Sequence, residues 1–453
     1  MRSMLCSGPT GPTGPISLAD QSTKAMNAES RKIRNRYLVL SQFIWLPTSL
    51  IVGVNTLFLL DGGLSNVEAF AANAIYTLGL VLFEIPTGMV ADTWGRRTSY
   101  LLGAGIQLVG NLLYFWMWHT KGPFWGWGVA SLLLGFGYTF FSGALEAWLV
   151  DALKHAGYEG DLDPIFARNQ IVTGAAMLVG TVAGGFIAQL AVLGAPYLVR
   201  AGLQLVSFLV ALAIMKDLGF TPERSAGIVK QVKTLAAAGW QHGLKNRPVR
   251  WVMLAAPFYM GTGIYGFYAA QPYLLDLFGD PQALGVAGIA AAGIAGTQVA
   301  GGFAVPYIRR IFSRRTHVLL ACAALTAASL VLMGLVQIFA VVVTLLVLWA
   351  VAFAANAPVR QAYINALIPS RQRATVLSFD SMVNSTGGVA FQPILGSVAD
   401  TAGYAASYIV SGAVAVLALP FLLLARRENV SADRSADQSA DQSTASTAAS
   451  AST

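Results

Sequence analysis

Six charged side chains, Glu84, Asp92, Arg96, Arg97, Glu146 and Asp151, lie within or beside long apolar runs. A charge there must be used or neutralised: an ionised group near the bilayer centre costs about 2.5–3.5 kcal/mol on insertion scales. Glu84 stands eight residues before Asp92, about 12 Å deeper at 1.5 Å per residue of helix. A carboxyl at that depth can take a proton from one side of a barrier and release it on the other. Glu84 is therefore the first candidate for proton exchange, and Glu146 the second. The competing reading of Glu84 is a structural carboxylate paired with a neighbouring helix. Asp92 is placed to cap a helix or to pair with a cation, and Arg96 and Arg97 supply cations. Bond-making chemistry is not indicated. None of the four histidines lies mid-helix beside a serine, a cysteine or a second histidine. No G-x-x-x-x-G-K-[ST] phosphate loop occurs, and Cys6 and Cys322 offer neither a disulfide framework nor metal-ligand spacing. No enzyme activity is expected, and no metal, nucleotide or prosthetic group.

The elements that hold these groups follow from composition. The 453 residues are 55% hydrophobic and 11% charged, with a mean hydropathy of +0.60, against about 25% charged in an ordinary soluble domain. A soluble fold is excluded. A helix needs about 20 apolar residues to cross a hydrocarbon core of roughly 30 Å. Such windows begin near Tyr37, Val67, Thr98, Phe124, Ile165 and Pro196, and, after a polar stretch, near Trp251, Leu284, His317, Phe339, Ala374 and Tyr404. The run from His317 to Ile368 would reach about 75 Å as one helix, so it must turn near Gln337. The expected fold is all-α and integral to the membrane, with twelve transmembrane helices. Residues 31–216 and 251–427 form two bundles joined by a central loop, 217–250. Residues 1–30 and 428–453 carry too little apolar surface to fold and are expected to be disordered tails.

Lysine and arginine fall on alternate loops: 26 of the 29 lie on the side that holds both termini, leaving Lys121, Arg200 and Arg360. The positive-inside rule makes that side the cytoplasm, with both termini cytoplasmic and the chain multi-pass in the plasma (inner) membrane. The net charge of +8 then reports topology and affinity for an anionic lipid surface, not nucleic acid. In the central loop Ile228, Val232, Leu235 and Trp240 recur at near-helical spacing among lysines. This predicts an amphipathic helix on the membrane surface, either a plain tether or a regulatory element. Arg200 and Asp276, near the outer ends of their helices, are expected to snorkel to the interface.

Between the second and third spans lies GMVADTWGRRTSYLLG, Gly88 to Gly103. Gly88 suits close helix approach and Gly95 a tight turn. This loop resembles the G-x-x-x-D-x-x-G-R-R signature of the major facilitator superfamily at Gly88, Asp92, Gly95, Arg96 and Arg97. The resemblance implies two pseudo-symmetric six-helix bundles working by alternating access. The second half repeats the first in outline: Arg168 opens the fifth span as Arg373 opens the eleventh, and GTVAGG (180–185) is matched to FQPILG (391–396). The counterpart of the signature loop, GGFAVPYIRRIFSRR, lacks the aspartate.

Within the superfamily, EIPTGMVADTWGRR, SGALEAWLVDAL and RQAYINALIPSRQRATVLSF look most like bacterial drug:proton antiporters, the drug and macrolide efflux carriers of drug resistance. Two positions depart from that pattern: Thr181 replaces the proline of the fifth-helix motif, and no arginine lies in Ser131 to Gly143. The resemblance implies a gating network in which Asp151 holds Arg96 and Asp92 faces the start of the eleventh helix, near Arg373 to Asp380, with Arg360 close by. It also implies a cavity lined from the first, fourth, seventh and tenth helices, with Asn55, Tyr138, Tyr265, Tyr268, Gln271 and Asn356 as candidates. The expected function is proton-coupled efflux of small amphipathic compounds by a monomer in the lipid bilayer, driven by the proton gradient. A sugar or metabolite carrier of the same superfamily is the alternative, and a transporter-fold receptor or intramembrane enzyme is the alternative of another class.

Overall fold

A computed structural model describes residues 26–222, 227–312 and 314–433, and the side chains of all of these except 298–311, 371 and 374. The tail expectations for 1–25 and 434–453 lie outside the described residues. The helices are α1 (Ala28–Val52), α2 (Asn55–Asp61), α3 (Asn66–Trp94), α4 (Arg96–Thr120), α5 (Phe124–Thr139), α6 (Ala144–His155), α7 (Asp163–Leu190) and α8 (Ala195–Ile214) in the first half. A central helix α9 (Ile228–Ala238) and a π-helical turn (Gly239–Leu244) follow. The second half has α10 (Arg247–Phe278), α11 (Leu284–Ile311), α12 (Arg315–Leu335), α13 (Phe339–Leu367), α14 (Arg373–Val416) and α15 (Ala418–Arg427).

Twelve spans result. Eight stretches among the described residues are long and apolar enough to cross a membrane, including α5–α6 as one and Thr375–Arg427 as another, and α1 with α2, bent by 55°, makes a ninth. Gly403, at φ 81°, divides the long run in two. The chain returns there: Tyr404 bonds to Asn66, whereas Phe421 packs against Trp251 and Phe258 at the other end of α10. Helices α10 and α11, 32 and 28 residues long, complete the set. The turn expected near Gln337 falls between α12 and α13.

Two expectations for the chain ends need correction. Ala28 to Ser30 already belong to α1, capped by the Asn27 side chain, which accepts from Ser30 N–H at 2.7 Å. Residues 428–433 are folded, not a loose tail. The buried Asp433 accepts from the backbone N–H and the hydroxyl of Thr316, both at 2.8 Å, and so satisfies the exposed donors at the start of α12.

Within the first half α1 packs on α7 and α8, and α4 on α5 and α8; within the second, α10 packs on α14 and α12 on α13 and α14. The halves meet along two seams, α3 against α14 and α7 against α11. Glycine makes the tightest approaches possible. A Cβ on Gly184 would lie 1.7 Å from the Leu50 carbonyl oxygen, and one on Gly387 1.8 Å from that of Pro257. Their neighbours face the seams, Gly185 against Gly288 and Gly388 against Thr77. The structural counterpart of the Gly180–Gly185 motif is therefore the pair Gly387–Gly388, a correction to the match with FQPILG, whose glycine, Gly396, instead packs against Asn66 and Phe70. Contacts, not letter similarity, set the register of the repeat.

The central helix follows its amphipathic pattern. Leu235 and Ala238 are buried, while Ile228, Val229, Val232 and Trp240 stay exposed, and α9 touches both α3 and α14.

Because backbone carbonyls cannot retreat from a new Cβ, Gly184→Val and Gly387→Val should each cost at least about 1–3 kcal/mol. The purified variants should melt well below the parent, and Gly202→Ala, where a Cβ meets nothing within 4 Å, should not. Equal melting of all three would refute the contact assignment.

Candidate functional site

At the ends of the spans away from the termini, one half supplies hydrogen-bond acceptors to helix starts of the other. The Asp400 carboxylate, at the end of the eleventh span, accepts from the backbone N–H groups of Asn66 and Val67 at 2.8 Å each. Gln189, at the end of α7, accepts from Gly285 N–H at 2.9 Å. These are the orphan donors of the first turns of α3 and α11, and the two caps are related by the internal repeat. Between them, the bend that separates α1 from α2 leaves Val52 C=O and Thr56 N–H without a partner on their own helix. Gln271 of α10 satisfies both: its amide donates to Val52 O at 2.8 Å and accepts from Thr56 N–H at 2.9 Å. The Thr56 hydroxyl donates to the Tyr268 carbonyl at 2.9 Å. The hydrogen bonds that the described residues of the two halves make with one another all lie at this face.

Toward the other face, rich in arginine and lysine, the seam opens. Phe70, Thr77 and Glu84 follow at seven-residue intervals, close to two helical turns, and so share one face of α3. Phe70 packs on Tyr265 (ring centroids 4.6 Å apart) and Gly396, and Thr77 on Gly388. Two turns further, Glu84 is exposed and accepts a hydrogen bond from the Ser142 hydroxyl at 2.8 Å. A Cβ on Gly88 would meet nothing within 4 Å, so the close approach expected there is absent in this conformation. Ser142 and Glu146, on either side of Gly143, which sits at φ 68° between α5 and α6, are exposed as well.

The signature loop at this basic face is tied to its own half and to the chain just beyond α8. Arg96 bonds to Asp92 at 2.5 Å, and its Nε lies 3.7 Å from the Asp151 carboxylate. Arg97 N–H donates to Asp217 at 2.8 Å, and its guanidinium to Leu212 O at 2.9 Å. Gly95, at φ 102°, cannot be replaced without a Cβ striking that same Asp217 carboxylate, 2.4 Å away. Asp92 does not reach the start of α14; its side chain is 42% exposed, because the halves stand apart here. Arg360 and Asp380 likewise do not join the network, pairing instead with each other between α13 and α14.

The cavity candidates separate into groups. Tyr138 lines a recess of the first half with Gln107, Gln204, Phe43 and Phe141, and Asn356 lines one in the second half with Tyr259, Arg360 and Asn384. Gln271 and the Tyr268 backbone belong to the closed face. Asn55 is buried between Asn73 (2.9 Å) and the Tyr197 hydroxyl (3.0 Å). Tyr265 is fully buried against Phe70 and Ser407, so it packs the core and lines no opening. Arg200 also corrects an expectation: it does not snorkel but is 5% exposed, with its guanidinium on Gln107 at 3.0 Å. Sequence inspection missed Gln107, Gln189, Asp217 and Asp400, each a polar residue near a span end or within an apolar helix.

A family model described as Major Facilitator Superfamily matches residues 38–310 and 297–450. A crystal structure of a mutant of the nucleoside transporter NupG is similar over 86% of this chain and 99% of that one, with a TM-score of 0.73 and 13% identity. The in meso crystal structure of the POT family transporter PepTSo is similar over 88% of this chain and 98% of that one, with a TM-score of 0.67 and 12% identity. At such identities these likenesses speak for the fold. No curated protein matches the sequence.

Gln271→Leu should leave two buried backbone groups unpaired, at about 1–3 kcal/mol each, and loosen the closed face. A buried Thr56→Cys reporter should then react with a thiol reagent at least about tenfold faster than in the parent, tenfold corresponding to about 1.4 kcal/mol. Unchanged reactivity would show that Gln271 is not the clamp.

Proposed function

Because the chain belongs to the major facilitator superfamily, it is a membrane-spanning transporter and not an enzyme, and we propose that it exports small amphipathic compounds in exchange for protons. On this reading the basic face is cytoplasmic, the membrane is the plasma (inner) membrane, and the conformation described is the one open to the cytoplasm. The carrier works as a monomer within the lipid bilayer, and the proton gradient is its only energy source.

One observation carries the coupling. Glu84 sits on the face of α3 that lines the seam, two turns beyond Thr77, which packs on Gly388 of α14, and is exposed with only the Ser142 hydroxyl hydrogen-bonded to its carboxylate. In this state the carboxylate is open to the cytoplasmic side. Closure of that side against α14 would cover it, and on this reading the proton it carries is what couples closing to the gradient. Glu146, one helix away and within electrostatic reach of Tyr37, is the second group placed for this exchange. As the basic face closes, Asp92 would come to the start of α14, where helix N–H groups favour an anion. Asp151 would hold Arg96 throughout.

The aromatic lining of the Tyr138 recess suits a flat amphipathic compound. A metabolite carrier of the same superfamily is the second reading, favoured by the buried hydrogen-bonding groups Asn55, Asn73, Gln107 and Gln204.

Cells expressing the chain should extrude amphipathic fluorescent dyes, and an uncoupler should stop this. At equal membrane level, Glu84→Gln should lower uncoupler-sensitive efflux at least about tenfold; unchanged efflux would reject the role of Glu84. Gly88→Leu should melt like the parent yet transport poorly, because its side chain has room in this state and none once the face closes. If no dye moves despite good expression, the metabolite carrier becomes the leading reading.

A further inference from the structure

Among the described residues, Arg200 is a buried cation to which the fold supplies no counter-charge. It lies five residues into α8, about 8 Å from the helix start, and is 5% exposed. Its hydrogen bond goes to a neutral acceptor, Gln107 Oε1, at 3.0 Å. Among the described residues no carboxylate comes within ion-pair distance, and the groups in electrostatic reach are the tyrosines Tyr76, Tyr114, Tyr197 and Tyr268. The other deeply placed arginine, Arg360, behaves differently and holds its own carboxylate, Asp380.

The surroundings are under-satisfied in the same sense. Arg200 Nε is buried without an acceptor, and Gln204 Oε1 without a donor. Gln107 Oε1 takes both the Arg200 guanidinium and, at 3.4 Å, the Gln204 amide. Gln107 and Gln204 are also walls of the recess lined by Tyr138, Phe43 and Phe141, which is narrow in this conformation and must widen to admit a ligand. One wall of the recess, Gln107, is thus the residue that holds the guanidinium. Tyr268, from the second half, lies within electrostatic reach of the same guanidinium.

We propose that Arg200 recognises an anionic group on the transported compound, a carboxylate or sulfonate attached to an aromatic or amphipathic body. This rests on the carrier reading above and narrows its substrates to organic anions. The anion would enter along the Tyr138 recess, displace the Gln107 amide oxygen from the guanidinium and take its place, leaving Gln107 and Gln204 to hydrogen-bond the remaining oxygens. A guanidinium matches a two-oxygen anion in geometry as well as charge, and low local polarity strengthens the pair.

The test uses the purified full chain in nanodiscs of zwitterionic lipid, with fluorescence polarisation of two xanthene dyes: carboxyfluorescein, an anion, and tetramethylrhodamine methyl ester, a cation. Carboxyfluorescein should bind the wild type. Arg200→Gln should weaken that binding at least about tenfold and leave the cationic dye unaffected. Gln107→Glu keeps the arginine but supplies an internal carboxylate beside it; it should melt higher than the wild type and also lose carboxyfluorescein. If Arg200→Gln does not fold, Gln107→Glu decides alone. The proposal fails if the wild type ignores carboxyfluorescein, or if Gln107→Glu binds it as the wild type does. Export of the cationic dye with no binding of the anion would sink the anion site and leave the carrier reading standing. Binding of the anion, with neither dye exported from cells, would support the site and count against dye efflux.

Discussion

The first turn of every helix leaves backbone N–H groups with no partner in the helix itself, and at a membrane edge they must be satisfied by protein or water. Here the two halves solve this for each other. Asp400 caps α3 and Gln189 caps α11, each acceptor reaching across the molecular seam. The caps seat only if the backbones come close, which is why Gly185 meets Gly288 and why Gly396 lies on Asn66 and Phe70. The bend between α1 and α2 belongs to the same construction. It exposes one donor and one acceptor, and a single amide, Gln271, occupies both. Once these contacts are set at one face, the helices beyond them diverge, and the opening at the basic face follows.

A seal of this kind is strong in geometry and modest in free energy. Seven hydrogen bonds cross between the described residues of the halves, each worth about 0.5–1.5 kcal/mol net because water replaces it on opening. The total is on the order of several kcal/mol, a size that a ligand with different affinities for two states can offset. Apolar contacts across the seam, Phe70 on Tyr265 among them, add to it. Small residues bring the backbones close beside them. The basic-face network follows the complementary logic: Arg96 with Asp92 and Asp151, and Arg97 with Asp217 just beyond α8, make no bond to the second half and keep the loop shaped while the halves are apart.

The twelve spans, their starting points to within several residues and the signature loop were legible in the sequence, because membrane thickness and charge bias act on local composition. The Arg96–Asp151 pairing was legible through the family pattern. What could not be read depends on helix rotation and on contacts several spans apart. Tyr265 and Tyr138 look alike in the sequence, yet one is fully buried beside Phe70 and the other lines a recess. Gln271 is one polar residue in an apolar run until the bend in α1–α2 gives its amide two partners. Asp92 was placed against α14 through the family pattern, whereas the structure pairs it with Arg96 inside its own half; a sequence encodes every state at once, and a structure shows one. Arg200 was misjudged because its distance along the chain from the helix start suggested the interface, whereas packing by α4 and its neighbours turned it inward.

The incomplete pairing around Arg200 fits a site that must exist both empty and filled. A cation paired with an internal carboxylate is cheaper to keep buried, but its hydrogen-bonding capacity is already taken, as Arg360 illustrates with Asp380. A neutral acceptor such as Gln107 eases the burial only in part. The unmet remainder is then available as a difference in free energy between the empty and the loaded carrier, and replacing a neutral partner with a charged one recovers it. Such a site discriminates mainly by charge and only weakly by outline, since the surrounding walls are aromatic rings and flexible amides. On the anion-site proposal, the polar interior of the first half and the aromatic lining of its recess therefore do not point to opposite substrates: one would recognise the charged end of a molecule and the other its body.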